Sequence, residues 1–118
     1  MPFIRVMYWK EIPVQVEFSD KNTKKTIKLD DRFQAAVDSI SMTDGSFGSD
    51  DYLDGWNWVV KEESNEMISE KIISNFILKF DNFPQNLIKE IKMMIDEGSR
   101  TEKPESIDHL LQKKRSSQ

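Results

Sequence analysis

The residues best equipped for chemistry in this chain are carboxylates. Asp50, Asp51, Asp54, Glu62 and Glu63 lie close together in sequence, and Asp44 opens the glycine-rich run 44–55 just before them. Acids at such spacing suit either a calcium loop or a general acid–base pair. The calcium register fails on inspection. Starting an EF-type loop at Asp50 puts Asp54 and Gly55 at the fifth and sixth positions, as required. It also puts Tyr52 at the third and Lys61 at the twelfth, where a bidentate glutamate belongs. Acid–base work needs two carboxyl groups whose environments differ, and nothing in a solvated acidic loop supplies that difference.

Other reactive types are thinly represented. There is no cysteine, which removes disulfides, thiolate metal sites and thiol nucleophiles. The one histidine, His109, has Asp108 as its neighbour, and adjacency alone does not orient a general base. No serine stands in a Gly-x-Ser-x-Gly elbow. The run Asp-Gly-Ser-Phe-Gly-Ser at 44–49 has no phosphate-loop lysine and precedes no strong helix. The residues therefore assign no catalytic group, no metal site and no cofactor.

The aromatic residues are a different matter. Tyr8, Trp9, Tyr52, Trp56 and Trp58 are five large amphipathic rings, most of them expected to fill the core. If Val6 and Tyr8 share a core face, alternation turns Trp9 outward with Arg5 and Met7, a grouping typical of protein-binding patches. The competing account places Trp9 under the helices, because the sheet is covered on both sides. The candidate partner-binding residues are Met7, Trp9, Tyr52 and Trp56.

These residues need positioning elements, and the hydrophobic pattern supplies them. Ile4, Val6 and Tyr8 make one strand. Ile12, Val14, Val16 and Phe18 alternate with polar positions in a second, with Pro13 at its start or on an edge. After the turn signal at 19–22, Lys25, Ile27 and Leu29 form a third, giving an antiparallel meander. The period then changes. Phe33, Ala36, Val37 and Ile40 mark a helix with Asp30 or Asp31 as its N-cap. Residues 44–55 read as loop and Trp56–Lys61 as a strand with both tryptophans on one face. A helix capped by Ser64 or Asn65, with Glu66 in its first turn, presents Ile68, Ile72, Ile73, Phe76, Ile77 and Phe80. Another, with Pro84 in its first turn, presents Leu87, Ile88, Ile91, Met94 and Ile95, and Gly98 stops it.

The expected fold is α+β: a small, mainly antiparallel sheet of three or four strands with about three helices packed on it. Residues 1–98 form a single domain and 99–118 a polar, flexible tail. In that tail Ile107, Leu110 and Leu111 are spaced to make one short helix that docks or folds on a partner. The net charge of −4 is uneven, with 12 Lys/Arg against 18 Asp/Glu in residues 1–98 and 5 against 3 beyond. An acidic body argues against nucleic acid, and the Lys113–Arg115 run reads as a solvated terminus. The N-terminus lacks a signal-peptide pattern and no apolar run suits a membrane, so the expectation is a cytoplasmic protein.

Tyr8-Trp9-Lys10, Ile12-Pro13 and Gln15-Val16, then Arg32-Phe33, Ala36 and Asp38, then Tyr52-Leu53 with Trp56 and Trp58 resemble a small bacterial domain family labelled "virulence factor". Its pattern is a Tyr-Trp-(Arg/Lys)-x-Ile-Pro-x-Gln-Val strand, a helix opening near Arg-Phe, and an Asp-rich loop with Tyr-Leu and a tryptophan. The resemblance covers about residues 4–60 and weakens from Ser39 to Gly45, where the family tends to small alanines. The helices after Glu63 share only general character. The resemblance implies an interaction or scaffold module, since a similar segment in one member sits inside a larger chain with helical repeats. Some relatives accompany one-carbon methyl-transfer genes, which implies an accessory protein. No catalytic residue comes with it. The reading is a non-catalytic module that binds another protein. The alternatives are an accessory subunit of a one-carbon or methyl-transfer enzyme system, or a small metabolite- or cation-binding protein.

Overall fold

The computed structural model describes residues 2–63 and 67–108. The expected helix cap at Ser64 or Asn65, Glu66, His109, Leu110, Leu111 and the Lys113–Arg115 run lie outside the described residues. Four strands, β1 (Phe3–Trp9), β2 (Ile12–Ser19), β3 (Lys24–Lys28) and β4 (Trp56–Glu63), form one antiparallel sheet in the order β3-β2-β1-β4. The helices are α1 (Asp31–Thr43), a short α2 (Asp50–Asp54), α3 (Glu70–Leu78), which runs into a 3-10 turn (Lys79–Asn82), and α4 (Leu87–Glu97). The fold is α+β, with β1, β2 and β3 as the meander that alternation requires.

One face of the sheet is core. Val6 pairs with Val16 and Val59, and Val16 with Ile27, so these side chains share a side. Above them lie Phe33, Ala36, Val37 and Ile40 of α1, all buried, with Ile73 and Phe76 of α3 and Leu87 and Ile91 of α4. Phe18 meets Phe76 edge-on at 5.9 Å, and Phe33 meets Phe83 edge-on at 5.6 Å. Burying each such side chain stabilises the fold by about 1.5–3 kcal/mol. The irregularities fall where the sequence permits them. Pro13 sits next to the register shift between β1 and β2, near the start of β2 where one missing donor does least harm.

Asp30 caps α1 by accepting from the Arg32 amide, and Gly98 ends α4 in the left-handed conformation (φ 73°). Two boundaries differ from expectation. Ser69 caps α3, accepting from the Ile72 amide, so that helix begins later than the apolar stripe. Pro84 precedes α4, whose N-cap is Asn86. The largest difference concerns the tail. Residues 99–108 lie against the domain, with Ile107 only 1% exposed in the core and Arg100 inside an ion-pair network. Among the described residues no helix is long and apolar enough to cross a membrane.

Candidate functional site

The charged candidates come first, because the fold gathers them. β1 and β2 are joined by a two-residue turn, Lys10-Glu11, in which Lys10 has a positive φ of 50°. Such a backbone is costly for a side-chain-bearing residue. It aims the buried ammonium at three carboxylates: Asp44 at 3.0 Å, Asp51 at 2.8 Å and Glu102 at 2.7 Å. Beside it the fully buried Glu11 receives the Arg100 guanidinium in two-pronged geometry, at 2.6 and 2.9 Å. Arg100 also donates to Asp44 at 2.9 Å. Asp44 completes its shell by accepting from the Ser46 amide and hydroxyl.

The protonation states follow. Burial works against the charged form of both Lys10 and Asp44. For Lys10 the hydrogen bonds to Asp51, Glu102 and Asp44 overcome it and raise its pKa. For Asp44 the bonds from Ser46, Arg100 and Lys10 overcome it and lower its pKa to about 2. An amine held this firmly protonated is neither a base nor a nucleophile. The cleft over this network, about 230 Å³ and lined by Lys10, Asp51, Asp54, Asn57 and Glu102, already has a lysine ammonium facing its acids. Among the described residues no group of three or more His, Cys, Asp or Glu is placed to hold a metal.

A second polar knot joins the same C-terminal segment to β4. Lys61, the bulged residue of that strand, contacts Glu105 and Asp108 and hydrogen-bonds the buried Tyr8 hydroxyl. Burial, the largest influence, pushes Tyr8 up to about 12. A groove of about 520 Å³ runs between α1 and α4, lined by Arg32, Ile88, Lys92 and Met93 among others. Its Arg32 is partly engaged elsewhere, donating to the carbonyls of Phe80 and Phe83.

The aromatic candidates separate. Trp9 is 0% exposed. Its indole N–H donates to the Tyr52 carbonyl at 2.9 Å and its ring lies 5.7 Å from that of Tyr52. Gly55 backs the indole so closely that an added Cβ would stand 2.7 Å from Nε1. Strict alternation does turn Trp9 away from the helices, but α2 folds over the end of the sheet and covers it. The expectation of an outward, exposed Trp9 is thus corrected: the ring is buried, as the competing account has it, but its cover is the short α2.

The tryptophan that stands beside methionine and arginine is Trp58. It pairs with Met7 across β1 and β4, and the Arg5 guanidinium lies 4.0 Å from its ring centroid. Glu17 holds Arg5 in place at 2.7 Å. Burial opposes the Glu17 charge, yet Arg5 and Lys24 lower its pKa. Met7, Tyr52 and Trp56 remain half-buried on this side. Tyr52 is the hub, with Trp56 at 6.1 Å and Phe47 at 6.2 Å, both edge-on. Phe47 (60% exposed) and Leu53 (67%) project from the same loop and helix. Neither is among the candidate partner-binding residues that the sequence supplies. The signal available was two large apolar residues inside an otherwise polar loop.

The family model described as "Virulence factor" matches residues 7–91. That span takes in α3 and the first half of α4, beyond the segment whose motifs carry the resemblance. No curated protein and no solved structure matches the chain.

Proposed function

From the premise that this chain belongs to the virulence factor family, we propose that it is a non-catalytic protein-interaction module. Its contact surface is the aromatic ridge Phe47–Tyr52–Trp56, continued by Met7 and Trp58 on the outer face of the sheet. The observation that carries this reading is a contrast between two kinds of side chain. The buried ionisable groups are paired with one another in structural networks, whereas Phe47 and Leu53 are large, apolar and more than half exposed on short elements anchored by Trp9. Aromatic and arginine side chains held in fixed rotamers are the usual anchors of protein interfaces, because little entropy is lost when they are covered.

The test is affinity capture from cells with the intact chain and with Phe47→Ala/Leu53→Ala. The double variant is expected to lose its specific partner by about tenfold or more, the scale of a hot-spot truncation. Its melting temperature should stay within a few degrees of the parent, since exposed side chains contribute little to folding. Undiminished capture by the variant sinks the reading.

A further inference from the structure

The two edges of the sheet are built differently. β3 carries Lys24, Lys25 and Lys28 on exposed positions, and lysines along an edge oppose pairing with another strand. β4 is longer, and its first five residues are Trp56, Asn57, Trp58, Val59 and Val60, with Val60 53% exposed. Its charges, Lys61, Glu62 and Glu63, and the bulge at Lys61 are confined to its last three residues, so the stretch from Trp56 to Val60 carries neither.

The register tells which backbone groups stand open. The Lys10 amide donates to the Gly55 carbonyl, and the Leu29 amide to the Val14 carbonyl. In an antiparallel sheet these bonds make Tyr8–Asn57 and Val6–Val59 the hydrogen-bonded pairs. The amides and carbonyls of Trp56, Trp58 and Val60 then face away from β1. Among the described residues none of them has a backbone partner across that edge. Charge flanks the open stretch on both sides. Asp50 and Asp54 are exposed at the Trp56 end, beside Asp51, which Lys10 engages, and Glu63 is exposed at the other, beside Glu62, which lies 3.5 Å from Lys79. Lys61, the one cation within the strand, contacts Glu105 and Asp108. Pairing with a second copy would lay Glu62 and Glu63 of each chain beside the aspartates of the other, which like charges oppose.

We propose that β4 is a strand-addition site for an extended segment of another protein, with β-branched or aromatic residues in its middle and Lys or Arg at its ends. Main-chain bonds to Trp56, Trp58 and Val60 supply affinity, and the acids at each end select a basic partner. This deepens the protein-interaction reading and rests on it.

The probe is a phage-displayed library of random dodecapeptides selected against the full chain. Binding of an enriched peptide is then measured by fluorescence polarisation to the parent, Val60→Pro, Val60→Lys and Phe47→Ala/Leu53→Ala. Enriched sequences should be basic with alternating apolar positions. Val60→Pro removes only an outward amide, a position where edge strands accept proline, and is expected to weaken binding about tenfold. Should its circular dichroism show misfolding, Val60→Lys decides the matter, because it keeps the amide and adds a repelling charge. Acidic ligands, no enrichment, or binding to both folded Val60 variants as tight as to the parent overturns the edge site. A dimer by sedimentation that Val60→Lys dissociates also overturns it, because the occupant is then a second copy. Peptides that ignore Val60 but are lost with Phe47→Ala/Leu53→Ala overturn this inference alone and leave the interaction reading standing.

Discussion

Trp9 sits where a strand residue on the outer face meets a loop that folds over it, so its worth is structural. Replacing it with alanine removes a fully buried ring and takes from the Tyr52 carbonyl the nearer of its two donors, leaving the Gly55 amide at 3.3 Å. The expected cost is about 3–5 kcal/mol, the range for truncating a large aromatic in a core. Gly55→Ala acts on the same contact from the other side, driving a methyl toward Nε1. Both should lower the urea midpoint and weaken partner capture together, through displacement of Tyr52. A Trp9→Ala variant with an unchanged midpoint would show that the indole is not part of the core. The alternation of Val6, Tyr8 and Trp9 was readable in the sequence, and so was the choice between an exposed and a covered ring. The cover itself was not, because it depends on a helix of only five residues in a segment whose glycines and aspartates read as loop.

At the scale of elements, the periodic parts were legible and the aperiodic parts were not. The β1–β2–β3 meander, the α1 stripe from Phe33 to Ile40 and the Gly98 stop all follow from spacing that local physics enforces. The segment 99–108 has no such period, so it read as a polar tail. What holds it is Ile107 in the core and Arg100 bonded to Glu11, a partner 89 residues earlier in the chain. No local pattern records a pair at that distance. Removing Arg100 while keeping Glu11 leaves a carboxylate with no exposed surface and no counter-charge. Arg100→Met should therefore cost about 3–5 kcal/mol, and adding Glu11→Met should recover most of that loss, as apolar replacements of buried ion pairs often do. Urea denaturation of both variants measures it. If the double variant is no more stable than the single one, the cost lies in something other than the orphaned Glu11 charge.

For the molecule as a whole, Asp44 is the point where separate parts of the chain are tied together. Through it the β1–β2 turn, the end of α1, the loop before α2 and the segment 99–108 share one set of charges. Its pKa of about 2 in the fold, against 3.8 without it, fixes how stability depends on pH. A carboxylate whose pKa is lowered by folding stabilises the native state above its unfolded value. That contribution is lost as pH falls through the folded value, because the unfolded chain takes up the proton first. The window here runs from about pH 4 down to about pH 2, and the loss is about 2 kcal/mol for Asp44 alone. Glu17 and Asp20 are shifted in the same direction, Glu17 by Arg5 and Lys24 against its burial, and Asp20 by the amides of Ile68, Asn22 and Thr23. Their contributions fade with acid in the same sense. The urea midpoint of the parent should be level near pH 6 and fall steeply below pH 4. Asp44→Asn should begin from a lower midpoint at pH 6 and fall less steeply, converging on the parent near pH 2. Parallel curves for the two proteins would mean that the Asp44 charge does not hold the C-terminal segment to the turn, and that the network is a consequence of packing already secured by Ile107.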